Sequence, residues 1–212
     1  MLPGKFITIE GTEGAGKSTA VQFIKNHLQQ SNINVIWTRE PGGTELAEHI
    51  RNLLLHPMSY EEMEPETELL LMFAARAQHM KKRIVPALTA GQWVASDRFL
   101  DASYAYQGGG RKIDSKYIKL LDQWIVGDVY PDLTLLLDID PQKGFERAEK
   151  RGTDKDRIEQ EKMDFFIRVR QAYLVRAKQD PKRIKLIDAG QPLFMVEDQM
   201  RSILNEFIEN VH

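Results

Sequence analysis

One stretch near the start of the chain constrains the fold more than any other. Glu10–Thr19 has the sequence Glu-Gly-Thr-Glu-Gly-Ala-Gly-Lys-Ser-Thr, which contains the complete pattern Gly-x-x-x-x-Gly-Lys-Ser. A β-rich run, Phe6–Ile9, precedes it, and apolar residues at helical spacing follow it. A strand, this loop and a helix in that order predict a phosphate-binding loop. The alternative interpretation is a glycine-rich turn that binds no ligand.

The chemistry of this loop suits a polyphosphate. Glycines let the backbone turn tightly, so that successive N–H groups point inward, and the following helix adds the positive end of its dipole. Lys17 supplies a charge for the outer phosphates, and the Ser18 hydroxyl can join the shell of a Mg²⁺ ion. The residues predicted to surround the phosphates of a bound nucleotide are Gly11, Thr12, Glu13, Gly14, Ala15, Gly16, Lys17, Ser18 and Thr19.

Five short apolar runs, with helix-like segments between them, predict the fold class. They are Phe6–Ile9, Val35–Thr38, Trp93–Ser96, Leu133–Asp138 and Ile184–Asp188. Strands that alternate with helices indicate a parallel sheet covered on both faces. We therefore expect an α/β, three-layer fold of the P-loop NTPase type with a five-stranded parallel sheet. The 212 residues suffice for one well-buried domain, 1–212, with a small arginine-rich lid at about 147–160.

Composition argues against several classes of protein. The net charge of −2 is incompatible with a broadly basic surface, so we expect no nucleic-acid partner. The chain has no cysteine, which excludes disulfides and cysteine nucleophiles. Met1–Lys5 shows no signal-peptide pattern, and the longest apolar run, Leu69–Ala75, is too short to cross a bilayer. We therefore expect a cytoplasmic protein with no membrane partner.

Polar residues stand at the ends of the predicted strands, where parallel sheets bind their ligands. Glu10 ends the first strand, and Asp97 and Arg98 follow the third. An Asp that leaves a buried strand opposite a phosphate loop suits contact with Mg²⁺ through water. Arg98 could bridge a donor and an acceptor phosphate.

The segment after the second strand, Thr38–Thr44, contains Pro-Gly-Gly, a strong loop signal. Thr44 is placed to cap a helix that carries Arg51. Arg39 and Arg51 could hold a second phosphate. Alternatively, Arg39 and Glu40 form a surface ion pair, which would contribute little stability. The residues alone leave both interpretations open.

A long helix is predicted from Pro65 to about Thr89. Met72, Phe73 and Arg76 lie on one face of it, together with Leu69. Arg76 could hold a planar base by hydrogen bonds while the apolar side chains pack on its ring. Alternatively, the face belongs to the core, and Arg76 extends its charged end to water.

A second polar cluster is predicted after the third strand. Ser103, Tyr106 and Gln107 lie three and four residues apart, before a triple-glycine break. Hydroxyl and amide groups on one face suit recognition of the edge of a base, although a solvated helix end would have the same pattern.

Basic residues mark the predicted lid, and a short loop follows the last strand. Arg147, Arg151 and Arg157 surround a glycine-containing segment that could close over a nucleotide and exclude water. The simpler interpretation of this charged run is a solvated face. The loop that contains Gln191 could lie against the adenine of ATP through its backbone groups.

Taken together, these blocks resemble the bacterial thymidylate kinase family from Phe6 to near the C-terminus. The resemblance rests on Glu-Gly-Thr-Glu-Gly-Ala-Gly-Lys-Ser-Thr, Thr-Arg-Glu-Pro-Gly-Gly-Thr, Phe-Ala-Ala-Arg, Ser-Asp-Arg-Phe and Ala-Tyr-Gln-Gly-Gly-Gly-Arg, in family order. It implies transfer of the γ-phosphoryl group of ATP to dTMP with Mg²⁺, giving dTDP and ADP for dTTP synthesis, by a homodimer. A kinase for another nucleoside monophosphate, or a nucleotide-binding switch, is the alternative.

The resemblance also implies roles for individual residues. Arg76, with Ser103 and Gln107, would bind the thymine edge, and Tyr106 would crowd the 2′ position of the sugar. Glu10 would lie near the sugar 3′-OH and the metal. The acceptor phosphate would be held by Arg39, Arg51 and Arg98, with Glu40 in the same site.

The phosphate loop and the position of Met72 are informative when they are set against the family pattern. The phosphate loop carries Glu13 and Ala15 where some members place a catalytic arginine, so this chain is similar to the subtype that supplies it from the lid, through Arg151 or Arg157. The family usually has a stacking Phe at the position of Met72, which leaves Met72 and Phe73 as alternatives for the thymine ring. Lys17 and Arg98 complete the predicted catalytic set.

Overall fold

The computed structural model describes residues 3–56, 61–150 and 156–211, and strands alternate with helices throughout these ranges. The strands are β1 (Phe6–Gly11), β2 (Val35–Arg39), β3 (Trp93–Asp97), β4 (Leu133–Asp138) and β5 (Ile184–Asp188). The α-helices are α1 (Lys17–Gln30), α2 (Glu45–Leu55), α3 (Pro65–His79), α4 (Val85–Thr89), α5 (Leu100–Ser103), α6 (Ser115–Ile125), α7 (Pro141–Glu149), α8 (Met163–Gln179) and α9 (Leu193–Glu209). Two π-helical segments, Met80–Ile84 and Tyr104–Gly110, continue α3 and α5.

All five strands are parallel, in the order β2-β3-β1-β4-β5. The central position of β1 places the loop that follows it in the middle of the carboxyl edge of the sheet. The ends of β3 and β4 flank that loop on either side. This arrangement confirms the predicted five-stranded parallel sheet and brings the polar strand ends to one edge.

Helices cover both faces of the sheet, as the three-layer prediction requires. Ile7 and Ile9 of β1 pack in a buried cluster with Ile24 and Leu28 of α1 and with Met200 of α9. Successive side chains of a strand point to opposite faces. Accordingly, residues of the opposite register pack in two other buried clusters, with side chains of α3, α4, α6 and α8.

The predicted helix from Pro65 to Thr89 is helical over that whole span, but it is not uniform. A π-helical turn, Met80–Ile84, separates α3 from α4, and Pro86 follows at the start of α4. Proline has no N–H, and in a regular α-helix its ring would collide with the carbonyl four residues earlier. The wider π turn accommodates this proline without interrupting the helical span.

Side-chain caps start α2 and α7, and the one at Thr44 confirms the predicted helix start there. The Thr44 hydroxyl accepts a hydrogen bond from the Ala47 N–H at 3.3 Å, and α2 begins at the next residue. The Asp140 carboxylate accepts one from the Gln142 N–H at 2.9 Å, with Pro141 in the first turn of α7. Across the described ranges, no helix combines the length and apolarity needed to cross a membrane.

Candidate active site

A cavity of about 540 Å³ opens at the carboxyl edge of the sheet. Its walls come from the loop after β1, the ends of β2 and β3, and helices on either side. One half, called the donor half, is lined by Glu13, Gly14, Ala15, Gly16, Lys17, Ser18, Thr19, Arg147, Gln191 and Leu193. The other half, called the acceptor half, is lined by Glu40, Pro41, Arg51, Glu68, Met72, Asp97, Arg98, Tyr106, Gln107 and Arg157.

The loop after β1 has the backbone that its glycines predict. Gly14 and Gly16 have φ angles of 72° and 88°, in the left-handed region that favours glycine. A side chain on Gly14 would lie 1.9 Å from the Gly144 carbonyl oxygen of α7, so the two backbones approach closely there. Lys17 curls over the loop and donates to the carbonyl oxygens of Gly11 and Thr12 at 3.1 and 3.0 Å. Burial and the neighbouring Arg98 lower the pKa of Lys17.

Arg98 joins the phosphate loop to the opposite wall. Its guanidinium donates to the Gly11 carbonyl at 3.0 Å and to the Glu13 carboxylate at 2.6 Å, and it lies over the Tyr106 ring at 4.7 Å. The residue has a φ of 66°, an uncommon conformation for a side chain of this size. A cation fixed between the two halves of the cavity can contact a phosphate on either side.

The two acidic residues predicted near the metal occupy different environments. Glu10 is fully buried, and its oxygens accept from the Phe99 N–H at 2.8 Å and the Tyr173 hydroxyl at 2.7 Å. Burial, reinforced by repulsion from Asp101, raises the pKa of Glu10 to about 7. Asp97 instead lines the cavity, and its buried Oδ1 has no hydrogen-bond partner in the described part of the chain. Asp97 is thus the carboxylate placed to contact a bound group.

Arg76 lies beneath the acceptor half, with only 1 % of its surface exposed. Its guanidinium donates to Glu40 at 2.7 Å, to the Ser103 hydroxyl at 2.9 Å and to the Phe99 carbonyl at 3.0 Å. The alternative in which Arg76 reaches water is therefore wrong. The surface pair of Arg39 with Glu40 is also wrong, because the buried Glu40 carboxylate binds Arg76 instead.

Met72 and Phe73 lie in different environments. Met72 lines the cavity, whereas Phe73 is 2 % exposed and packs against the Arg76 guanidinium at 4.6 Å from its ring. Tyr106 and Gln107 line the same wall. The Tyr106 hydroxyl and Gln107 Oε1 are buried without a hydrogen-bond partner among the described residues. The side chains that line this half thus include a thioether, a phenol and an amide.

The predicted phosphate-binding arginines also differ in position. Arg51 lines the cavity and donates to the Pro41 carbonyl at 2.8 Å. Arg39 has a side chain that is 54 % exposed and pairs with Glu48 at 2.9 Å. Arg51 and Arg98 are brought together at the acceptor half, and Arg39 is not among the residues that line it.

Comparison with known proteins agrees with this geometry. A family model described as thymidylate kinase matches residues 9–200. The chain belongs to the thymidylate kinase family. A thymidylate kinase of Vesicomyosocius okutanii is 56 % identical over 204 residues, which cover 96 % of this chain and 98 % of that protein. One from Alcanivorax borkumensis is 51 % identical over 205 residues, covering 97 % and 98 %.

A solved structure gives the same result. The crystal structure of thymidylate kinase from Ehrlichia chaffeensis matches with a TM-score of 0.75 and 34 % identity. It covers 95 % of this chain, and this chain covers 98 % of it. The predicted fold class and the resemblance are both confirmed, and the chain is therefore assigned to the phosphotransferases that this family comprises.

Of the two lid arginines considered for this family member, Arg151 lies outside the described residues. Arg157 lines the cavity. Its guanidinium donates to Glu68 at 2.6 Å and to the Leu54 carbonyl at 2.8 Å, which docks it against the acceptor half. On the donor side, Arg147 donates to the Ala189 carbonyl at 2.9 Å, and Gln191 donates to Asp188 at 2.8 Å.

Two buried residues of this thymidylate kinase site escaped sequence reasoning. His79 Nδ1 lies 2.9 Å from Glu40 Oε1, and its Nε2 lies 2.6 Å from the Thr38 hydroxyl. Glu68 contacts Gln107 at 2.7 Å. A signal for both existed in the spacing, since Glu68, Met72 and Arg76 are four residues apart and His79 follows three later.

Proposed function

We propose that this family member transfers the γ-phosphoryl group of ATP to dTMP, giving dTDP and ADP for dTTP biosynthesis. The observation that carries the proposal is the continuity of the cavity. A phosphate-binding loop forms one half, and a pocket with buried hydrogen-bonding groups suited to a base forms the other. Two nucleotides in these halves would meet phosphate to phosphate, with Arg98 between them.

The donor half suits ATP. The backbone N–H groups of Gly14–Thr19 would cradle its phosphates, Lys17 would exchange its loop carbonyls for phosphate oxygens, and the Gln191 loop would lie beside the adenine. The described residues contain no cluster of three or more acidic, His or Cys side chains that could hold a metal ion. The Ser18 hydroxyl and the unpartnered Asp97 oxygen nevertheless fit Mg²⁺, which commonly binds through one or two protein groups together with substrate phosphates. Bound there, Mg²⁺ would neutralise phosphate charge.

The acceptor half suits dTMP. Arg51 and Arg98 would hold the phosphate, and Arg39 would act at longer range. Met72 would pack on the thymine ring, and Gln107 would bind its edge. Arg76 has more N–H groups than its three hydrogen bonds use, so it could also donate to the base, while Glu40, Phe73 and Ser103 hold it in place.

Catalysis in this proposal is positioning combined with electrostatic stabilisation. Lys17 and Arg98 would stabilise negative charge on the transferring group, and closing the lid would exclude water. An acceptor phosphate would offer Arg98 an anionic partner besides Glu13. Arg151 and Arg157 both stay candidates for the lid arginine. Tyr106 would limit space at the sugar, and Glu10, buried behind Arg98, would support the backbone near the sugar hydroxyl.

A homodimer is part of the proposal. Tyr117, Leu120 and Trp124 of α6 are 52, 61 and 79 % exposed, and their spacing puts them on one helical face. Leu53 of α2 and Leu70 of α3 add exposed apolar groups on neighbouring helices. An exposed apolar face of this kind supports association with a second copy. A cytoplasmic location and the absence of nucleic-acid and membrane partners stay predictions.

An ADP-release assay with ATP, Mg²⁺ and each nucleoside monophosphate in turn tests the proposal. We expect dTMP to be the best acceptor and Lys17→Ala to lower turnover by roughly 10²–10³, because one fixed positive donor to the transferring group is lost. ADP release without an acceptor, or an equal response to all monophosphates, would contradict it.

A further inference from the structure

Glu68 is a buried hub on the wall of the acceptor half. Only 1 % of its surface is exposed, and its carboxylate accepts from Gln107 Nε2 at 2.7 Å. Arg111 binds it through Nε at 3.1 Å and Nη2 at 3.0 Å, and Arg157 binds it at 2.6 Å. The residue therefore connects α3 with the end of the π-helical segment and with the lid residue Arg157.

We propose that Glu68 is a positioning residue that sets base selectivity by fixing which end of the Gln107 amide faces the base of the acceptor nucleotide. This inference rests on the proposed function, since it concerns the base of a pyrimidine monophosphate. An amide side chain can present either a donor or an acceptor, depending on which way it is turned. Glu68 removes that choice.

The reason is the protonation state of Glu68. Burial opposes ionisation of the carboxyl, but Arg111 and the hydrogen bonds from Arg111 and Gln107 outweigh it and lower its pKa. An ionised carboxylate only accepts hydrogen bonds, so the nitrogen of the Gln107 amide must face it. Gln107 Oε1 is thereby left buried and without a partner within the described ranges, on a side chain that lines the cavity.

An amide oxygen in this place discriminates between pyrimidines. Thymine carries N–H at ring position 3 and can donate to it. Cytosine has a lone pair at that position, so two acceptors would face each other in a buried site and neither would be satisfied. The pairing of Glu68 with two arginines keeps the carboxylate charged, and thus the amide turned, without help from solvent.

The test is the ratio of kcat/KM for dTMP to kcat/KM for dCMP, with ATP as donor. In Glu68→Gln, residue 68 can both donate and accept, so the Gln107 amide can turn. We expect the ratio to fall about tenfold, the factor that one ordinary hydrogen bond supplies. Glu161→Gln is the matched control, because it also removes a carboxylate that binds Arg111, and it should leave the ratio unchanged.

A double variant that exchanges the two side chains tests the positioning role separately from any folding defect. Glu68→Gln combined with Gln107→Glu keeps one carboxylate and one amide side by side, and the carboxylate at 107 presents an acceptor to the cavity. We expect the double variant to recover most of the wild-type ratio. Should Glu68→Gln fail to fold, the double variant carries the test alone, and loss of thymine preference in it would overturn the inference.

Two further outcomes are decisive. An equal fall in kcat/KM for both acceptors in Glu68→Gln would show a merely structural role and overturn the positioning role while leaving the proposed function intact. A wild-type protein that does not prefer dTMP would instead overturn the proposed function itself.

Discussion

At the scale of single residues, burial divides side chains that look alike in the sequence. Glu10 and Asp97 both lie at strand ends beside the phosphate loop. Glu10 is nevertheless buried and accepts a hydrogen bond from the Phe99 N–H, whereas Asp97 lines the cavity. Arg51 and Arg39 divide in the same way. Glu10 supplies a test of stability, and the arginine pair supplies a test of binding in which Arg39 is the control.

The raised pKa of Glu10 predicts a pH-dependent stability. The folded chain holds a proton on this carboxyl up to about pH 7, whereas the ordinary pKa is 4.5. Its contribution to stability is therefore greatest below pH 4.5 and is lost as pH rises toward 7. Glutamine does not titrate, so Glu10→Gln should gain stability relative to the wild type between pH 4.5 and 8, by about 3 kcal/mol.

Urea unfolding of both proteins at pH 4.5 and pH 8 measures this gain. Other titrating groups affect both proteins alike and cancel in the comparison. A difference in unfolding free energy that is the same at the two pH values would show that Glu10 titrates normally.

Arg51 and Arg39 form the second residue pair. Arg51→Ala removes a cavity-lining cation, so we expect the KM for dTMP to rise roughly 10- to 100-fold, the range for a charge-assisted hydrogen bond. Arg39→Ala removes an exposed partner of Glu48 and should change that KM less than about threefold. Initial rates at saturating ATP give both values. Equal effects would contradict the assignment of the phosphate to Arg51.

At the scale of elements, the strands and most helices were predictable because each buries a run of apolar residues with the correct period. The π-helical segment Tyr104–Gly110 was not. Its wider turn changes which side chains share a face, so Tyr106 and Gln107 line the cavity while Ser103 turns to Arg76. A prediction from residue spacing assumes 3.6 residues per turn, so it cannot detect such a change.

The exposed face of α6 predicts association. Trp124→Glu places a charge at its most exposed aromatic residue, so we expect light scattering to show a dimer for the wild type and a monomer for this variant. Ile167→Glu, on α8 and 51 % exposed, is the control and should leave the dimer intact. A wild-type monomer, or a dimer that tolerates Trp124→Glu, would contradict the proposed face.

At the scale of the whole molecule, the site is assembled from segments far apart in the chain. Sequence patterns predicted that the phosphate loop, Asp97, Arg98 and Gln107 share one site, because each follows a strand or stands in a recognisable block, and all of them line the cavity. They missed Glu68 and His79, whose roles depend on partners 39 residues away. Local spacing places a side chain on a face, but only the tertiary fold decides which buried charge it meets.

A crystal structure with ADP and dTMP bound tests the central claim most directly, namely that one cavity seats donor and acceptor end to end. We predict ADP phosphates on Gly14–Thr19, the dTMP phosphate at Arg51 and Arg98, and the thymine between Met72 and Gln107. Binding of dTMP outside this cavity, or with its phosphate turned away from Arg98, would contradict the account.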